Sequence, residues 1–442
     1  MVRQILQNKP LWIVIHLIIG FLATLPFFPK FFGVLIVLLP VFIIYKTKNG
    51  NEEAFLFAAY IASGEVFLRM TKAYFLYETG KYAVILFLTM GFLLGPFKQK
   101  FAPQYAFYVL LLLLGIVFTS VPEGESIRKA IVFNLSGPIC LGIAALYFYQ
   151  RPISNKNLKE GLFFMLLPIC SMIVYLYFRT PDLKEIVFGG AANFKASGGF
   201  GPNQVATAIG LGILVLTILI LFKYRITGFL PLDLILLIYF VYRALLTFSR
   251  GGSLTAVISL LSFLFFYIIF KNLSVKLFIQ YLSIILFLSM SIWIYTSNVT
   301  GGMLNNRYTG KDGLGRKKVD VTSGRIAILE TQFGDFFDYP LGIGVGSGKY
   351  KRKEMRGHVT AASHNEIGRL IEEHGIIGVV ILLVLLIVPL FNFYRGNYYE
   401  KAFTISFYLF WFLTINHSAM RIALPGFIYG LSLIRIVPDE AE

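Results

Sequence analysis

Residues 363–395 read SHNEIGRLIEEHGIIGVVILLVLLIVPLFNFYR, and the change of character at Gly375 decides the fold. Before it, polar and charged side chains alternate with Ile367, Leu370 and Ile371 at helical spacing. After it, residues 376–394 carry no charge until Arg395. A hydrocarbon core about 30 Å thick needs about 20 apolar residues in a helix. The run is continuous and does not alternate, which excludes a strand of a membrane barrel. Working outward, similar runs recur at about 11–28, 31–45, 54–71, 82–96, 105–121, 131–150, 161–178, 204–222, 230–248, 252–270 and 277–296, and afterwards at 402–416 and 420–436. The stretch 297–375 is the one sizeable polar insert among them, and the chemistry is expected on or beneath it.

The totals agree. Of 442 residues, 57% are hydrophobic and only 14% charged, with mean hydropathy +0.73, against roughly 25% charged residues in soluble domains. The chain therefore reads as an all-α polytopic membrane protein of about 12–14 transmembrane helices. The expected organisation is a bundle over 1–296, a partly helical outward insert over 297–375, and C-terminal spans over 376–442. Residues 1–25 have the basic start and apolar run of a signal peptide but no small-residue cleavage site, so they read as a retained first span. Cys140 and Cys170 lie inside apolar runs and imply neither a disulfide framework nor a metal site.

The net charge of +17 falls near span ends, not on a soluble basic domain, so it is read as the positive-inside bias and not as nucleic-acid binding. Starting from a cytoplasmic N-terminus, alternate connections hold Arg3 and Lys9, Lys46 and Lys48, Lys98 and Lys100, Arg151, Lys156 and Lys159, Lys223 and Arg225, Lys271 and Lys276, Arg395 and Lys401, and Arg435. The opposite short loops hold fewer, among them Lys30, Arg128, Lys129 and Lys184. Both termini are accordingly expected in the cytoplasm and the insert outside. A second outward loop, 179–203, carries the turn formers Gly189-Gly190 and Ser197-Gly-Gly-Phe-Gly-Pro-Asn203.

Several residues have the chemistry for a site. Ser363 and Glu366 match a capping box, which places His364 in the first turn of a short helix ended by His374-Gly375. Unpaired N–H groups there attract anions and disfavour imidazolium, leaving His364 fit to accept a proton. A surface histidine on a capped helix is the plainer alternative. Arg325, after Thr322-Ser323-Gly324, starts a second helical pattern and has the fork geometry for phosphate. Arg250, in Ser249-Arg250-Gly251-Gly252, sits at the outer end of a span, where two glycines would let a diphosphate approach the backbone. Arg243, one to two turns earlier, lies deeper in the same span, where an ionisable residue defaults to function or to a partner. Glu65 and Arg69, four apart, are expected to neutralise each other.

Other patterns fail. The Gly342-x-Gly-x-Gly-x-Gly348-Lys349 run lacks the glycine and hydroxyl positions of a nucleotide-binding loop, since Ile343 and Tyr350 stand there, and it reads as a flexible hinge. His358, His364 and His374 have no zinc spacing. The basic clusters 307–318 and 349–356 read as solvated faces, with attraction for an anionic lipid head group as the alternative.

In order and spacing, Ser249-Arg250-Gly-Gly, Ser323-Gly-Arg325, the Pro340-Leu-Gly-Ile-Gly-Val-Gly run and Ser363-His364-Asn365-Glu366…Glu373-His-Gly375 resemble the O-antigen ligase and polymerase superfamily. The resemblance covers about residues 200–395. It implies a fold similar to GT-C type transferases and an enzyme of the bacterial inner membrane with a periplasmic active site. It further implies metal-independent, inverting transfer of a glycan from an undecaprenyl-diphosphate carrier, with no nucleotide or other cofactor. By the resemblance, Arg250 and Arg325 hold the diphosphate and His364 is the base on the acceptor hydroxyl, which belongs to lipid A–core in a ligase or to a growing glycan in a polymerase. Asn203 matches a further family element, and with Arg243 and Asn365 completes the candidate substrate contacts. A lipid-linked glycan transporter is the competing class, but the internal repeats expected of one are not visible.

Overall fold

The computed structural model describes residues 7–96, 100–182, 186, 192–318, 320, 322, 324–355 and 363–439. Arg3, Lys98, Lys184, Gly189, Gly190, Ser323, Arg356 and His358, all used in reading the sequence, lie outside the described residues.

Each apolar run falls on one helix. In chain order these are α1 (Lys9–Leu22), α2 (Phe28–Thr47), α3 (Glu53–Thr71), α4 (Thr79–Leu94), α5 (Pro103–Leu114), α6 (Ile127–Phe148), α7 (Asn155–Arg179), α8 (Pro202–Leu221), α9 (Leu230–Leu246), α10 (Arg250–Phe270) and α11 (Val275–Val299). The polar insert contributes α12 (Met303–Tyr308), α13 (Arg325–Asp338) and α14 (Gly348–Met355). Then follow α15 (Glu366–Arg395), α16 (Tyr398–His417) and α17 (Ala423–Leu431). Among the described residues, α2, α3, α6, α7, α8, α10 and α15 are long and apolar enough to cross a membrane, which makes this a multi-pass membrane protein. A short parallel pair, β1 (Pro152–Ser154) and β2 (Arg435–Val437), ties the chain's last turn to the α6–α7 connection.

The bundle has two distinct ends. His417, at the finish of α16, meets Thr207 near the start of α8, and Arg250 starts α10 beside them. At the other end Phe222, Tyr267, Phe270 and Tyr399 pack ring against ring, and Arg435 pairs with Glu400 at 3.0 Å. Although α17 has only nine residues, the turns on either side and strand β2 carry the chain from the His417 end to the Glu400 end.

Helices α3 and α7 form the centre and are buried along most of their length. The Glu65–Arg69 pair there (2.5 Å) belongs to a larger cluster. Arg69 also reaches Glu78 at 3.0 Å, Lys81 reaches Glu78 at 2.5 Å, and the second oxygen of Glu65 accepts the Ala423 amide at 2.5 Å. Buried charges of this kind persist when each has a partner, and this cluster pins the start of α17.

Of two expectations for the glycines, one is corrected and one holds. The 342–348 run is a tight strap and not a hinge. Ile343 and Gly344 donate to the carbonyls of Glu372 and Glu373 at 3.0 and 3.1 Å, and Val345 donates to Gly115 at 3.2 Å. Gly344 has φ +85°, and a Cβ on it would lie 2.2 Å from the Phe118 backbone. As expected, α15 is broken at His374-Gly375, so that a short helix from Glu366 is followed by a second, apolar one. It kinks where Gly375 adopts φ 58° and ψ −134°, because the strap takes over the carbonyls of that turn and Ile376 donates to Pro340 at 2.8 Å. In the 349–356 cluster, Arg352 is buried against Glu372 and Lys351 pairs with Asp335 at 2.6 Å. That cluster is an internal clamp in these two residues, and not a solvated face.

Candidate functional site

The Ser249-Arg250-Gly-Gly turn is shaped by packing. A Cβ on Gly252 would meet the Ala206 backbone at 2.6 Å, and one on Gly251 would meet the His417 ring at 2.5 Å. The glycines therefore let α10 approach α8 and α16 closely, and Gly251 also lines the cavity beside Arg250. Ser249 Oγ donates to Asn203 Oδ1 at 2.8 Å, which fixes Asn203 in the first turn of α8 next to Arg250. Thr207, one turn on, donates to the Asn203 carbonyl at 2.8 Å and lies 3.2 Å from His417 Nε2. His417 Nδ1 is 2.9 Å from the Leu413 carbonyl. A carbonyl only accepts, so Nδ1 carries the proton.

Arg325 is delivered by a loop folded on Asp320, whose oxygens accept the amides of Thr322 (2.7 Å) and Gly324 (2.5 Å). Gly324, at φ 78°, then turns the chain into α13.

His364 lies before helix α15 and not in its first turn. The cap is Asn365, whose Oδ1 accepts the Gly368 amide at 2.9 Å, while Nδ2 donates to Asn416 Oδ1 at 3.0 Å. The capping box fails because Glu366 is engaged elsewhere, by Arg369 and by the Met420 amide at 3.2 Å. The Ser363 carbonyl accepts from Arg421 at 2.7 Å. The segment bearing His364 is thus bolted to α16 and to the connection that follows it.

These pieces surround one cavity of about 340 Å³. Asn203, Arg250, Arg325, His364 and Asn365, read from the sequence as site candidates, all line it, together with Arg307, Asn416, His417 and an apolar wall of Ile326, Ile328 and Leu329. Arg243 does not. It is buried in α9 and donates to Thr180 Oγ1 at 2.7 Å, and to the carbonyls of Leu176 and Ala196, so it braces the two ends of the α7–α8 connection against the bundle.

No carboxylate is among the described residues that line the cavity. Burial, followed by the charge of Arg250, lowers the proton affinity of both Arg307 and Arg325, and Arg325 adds to the effect on Arg307. Guanidiniums held this close in a partly desolvated space favour an anion between them. Burial chiefly, and then Arg421, Arg325 and His417, lowers the His364 pKa to about 4, so the imidazole is neutral near pH 7. Neutrality was expected from a helix N-terminus; the cause is burial among cations.

His417 escaped the reading of the sequence, and Arg307 entered it only within the basic cluster 307–318. Arg307 is the first member of a basic cluster, yet its own helix is docked. Leu304 is fully buried, Tyr308 packs on Trp293 at 4.6 Å, and Arg307 Nε donates to the Phe248 carbonyl at 3.1 Å. His417 closes an otherwise apolar run, and an ionisable residue at such a place is itself a pointer to a site.

Residues 234–383 match the family model described as O-Antigen ligase. The matched span holds Arg250, Arg307, Arg325 and His364, whereas Asn203, Asn416 and His417 lie outside it. No curated protein and no solved structure matches the chain.

Proposed function

We propose that this chain, which the match over residues 234–383 supports as a member of the O-antigen ligase superfamily and so as a glycosyltransferase-like membrane enzyme, transfers a glycan from an undecaprenyl-diphosphate carrier to an acceptor sugar hydroxyl. The preferred acceptor is lipid A–core. The observation that carries this reading is the meeting of Arg250, Arg325 and neutral His364, far apart in sequence, on one cavity lined by no described carboxylate.

The chemistry follows from charge. Arg250 and Arg325 hold the diphosphate, and fixed cations aimed at a leaving group lower the barrier most where its charge develops. The acceptor oxygen attacks the anomeric carbon opposite the diphosphate, so the configuration inverts. His364 takes the hydroxyl proton, as a neutral imidazole within reach of the acceptor can. The bond from the anomeric carbon to the diphosphate oxygen breaks, and its electron pair leaves with the carrier. Asn203 and Asn365 hold Arg250 and His364 in register. The reaction in this form uses no metal and no nucleotide.

The bundle's two ends support an orientation. Arg395, Lys401, Arg435, Lys223, Arg225 and Lys271 gather at the end away from the cavity, as the positive-inside bias favours for a cytoplasmic face. The cavity, with the 297–375 insert over it, then opens to the periplasm of an inner-membrane protein, and both termini are cytoplasmic.

Purified protein incubated with carrier-linked glycan and lipid A–core tests the proposal. Glycan on the core lipid supports the ligase. Longer carrier-linked chains replace it with repeat-unit polymerisation, and movement of intact carrier-linked glycan across a vesicle without transfer replaces it with transport.

A further inference from the structure

We infer that Arg307 is a third cation of the diphosphate site, and that it balances the charge that appears only as the donor bond breaks. The inference rests on the transferase reading above and adds a residue and a division of labour to it.

The argument begins with the charge of the ligand. A diphosphate esterified at both ends carries two negative charges near neutral pH. When the bond to the anomeric carbon breaks, the electron pair stays on the diphosphate oxygen. The product is a terminal phosphate monoester, which alone carries about −1.5 to −2 at pH 7, so the total approaches three. The acceptor proton goes to His364, and the acceptor oxygen takes the anomeric carbon, which closes the balance. Arg250 and Arg325 match the ground state. The imidazolium formed at His364 balances the net charge, but in this reading it belongs to the acceptor side. The new charge on the diphosphate itself is met by a third guanidinium facing the same space.

Arg307 lines that space from a separate element. Its position is set before any ligand arrives, because Leu304 is fully buried and Nε is held by the Phe248 carbonyl at 3.1 Å in the turn just before Arg250. A cation placed in advance, with no rearrangement needed during reaction, is the arrangement that stabilises developing charge best. An interaction realised only in the transition state raises kcat and leaves ground-state affinity nearly alone.

The test uses the full-length protein in nanodiscs, with kcat and donor KM measured for wild type, Arg307→Gln and Arg307→Lys. Inhibition by undecaprenyl diphosphate and undecaprenyl monophosphate is measured alongside. Arg307→Gln is expected to lower kcat about 100-fold with donor KM within about threefold. It is also expected to weaken inhibition by the diphosphate at least about tenfold, and that by the monophosphate less. Arg307→Lys keeps the charge and is expected to recover kcat to within about tenfold of wild type. If Arg307→Gln does not fold, the Lys variant decides by the same recovery. The inference is overturned by a raised KM at unchanged kcat, by a Gln variant within threefold of wild type in every parameter, or by a folded Lys variant as inactive as Gln. Wild-type protein that transfers nothing from the carrier overturns the transferase reading itself, and this inference with it.

Discussion

His364 keeps its proton off by burial beside three other ionisable side chains, Arg421, Arg325 and His417, and this has a measurable consequence. With a pKa lowered to about 4, the base is present above that value and is lost as pH falls through it. The acid limb of kcat/KM is therefore expected near pH 4, well below the ordinary histidine range near 6.5. A bound diphosphate brings negative charge that favours imidazolium, so the limb in kcat should lie at higher pH than that in kcat/KM. A limb in kcat/KM near 6.5 in a pH–rate profile would contradict this. Asn365→Ala removes the α15 cap and the link to Asn416. It should lower stability by about 1 kcal/mol and kcat by about tenfold, with binding of the carrier unchanged by titration. The sequence pointed to five of the lining residues because their motifs are local. It named Arg307 only within a basic cluster and did not point to His417, since what distinguishes each is a tertiary neighbour: the Phe248 carbonyl for one, Thr207 and Gly251 for the other.

Helix α15 is where local reading and tertiary packing part. Ser363, Glu366 and the apolar positions after them correctly announce a helix. The break at Gly375 was legible as well, but the true cap and the packing of the break depend on Asn416, Met420 and the 342–348 strap, none of which helical spacing reveals. The strap should not tolerate side chains. Gly344→Ala places a methyl against the Phe118 backbone at positive φ and should lower the thermal midpoint markedly or abolish folded yield; an unchanged midpoint would mean that the strap is loose. Glu372 takes Arg352 and a 2.8 Å bond from Gln332, joining α13, α14 and α15. Glu372→Ala leaves Arg352 buried without its carboxylate, a change that typically costs about 3–5 kcal/mol, and a thermal melt in detergent should show it. The steepest loss is expected in transfer activity, because α13 carries Arg325.

For the whole molecule, hydropathy placed the helices one by one, since each span must satisfy its backbone within itself. It could not show that α8, α10 and α16 end together, although the alternation of loop charge did group the cation-rich connections on one face. The orientation has a direct check, aided by the burial of both native cysteines. A cysteine at exposed Leu314 in the insert should react with a membrane-impermeant maleimide from the periplasmic side. One at Lys46 should react only after the membrane is opened, and the reverse pattern would invert the protein and remove its access to a periplasmic acceptor.

The central claim is that Arg325 and His364 act on one reacting centre, and single-turnover transfer by the purified protein tests it most directly. Arg325→Gln and His364→Ala are each expected to slow transfer by 100-fold or more, and the double variant to be slowed by much less than the product of the two, as residues acting as a unit show. Full transfer by His364→Ala, or two losses that simply multiply, would contradict a shared site.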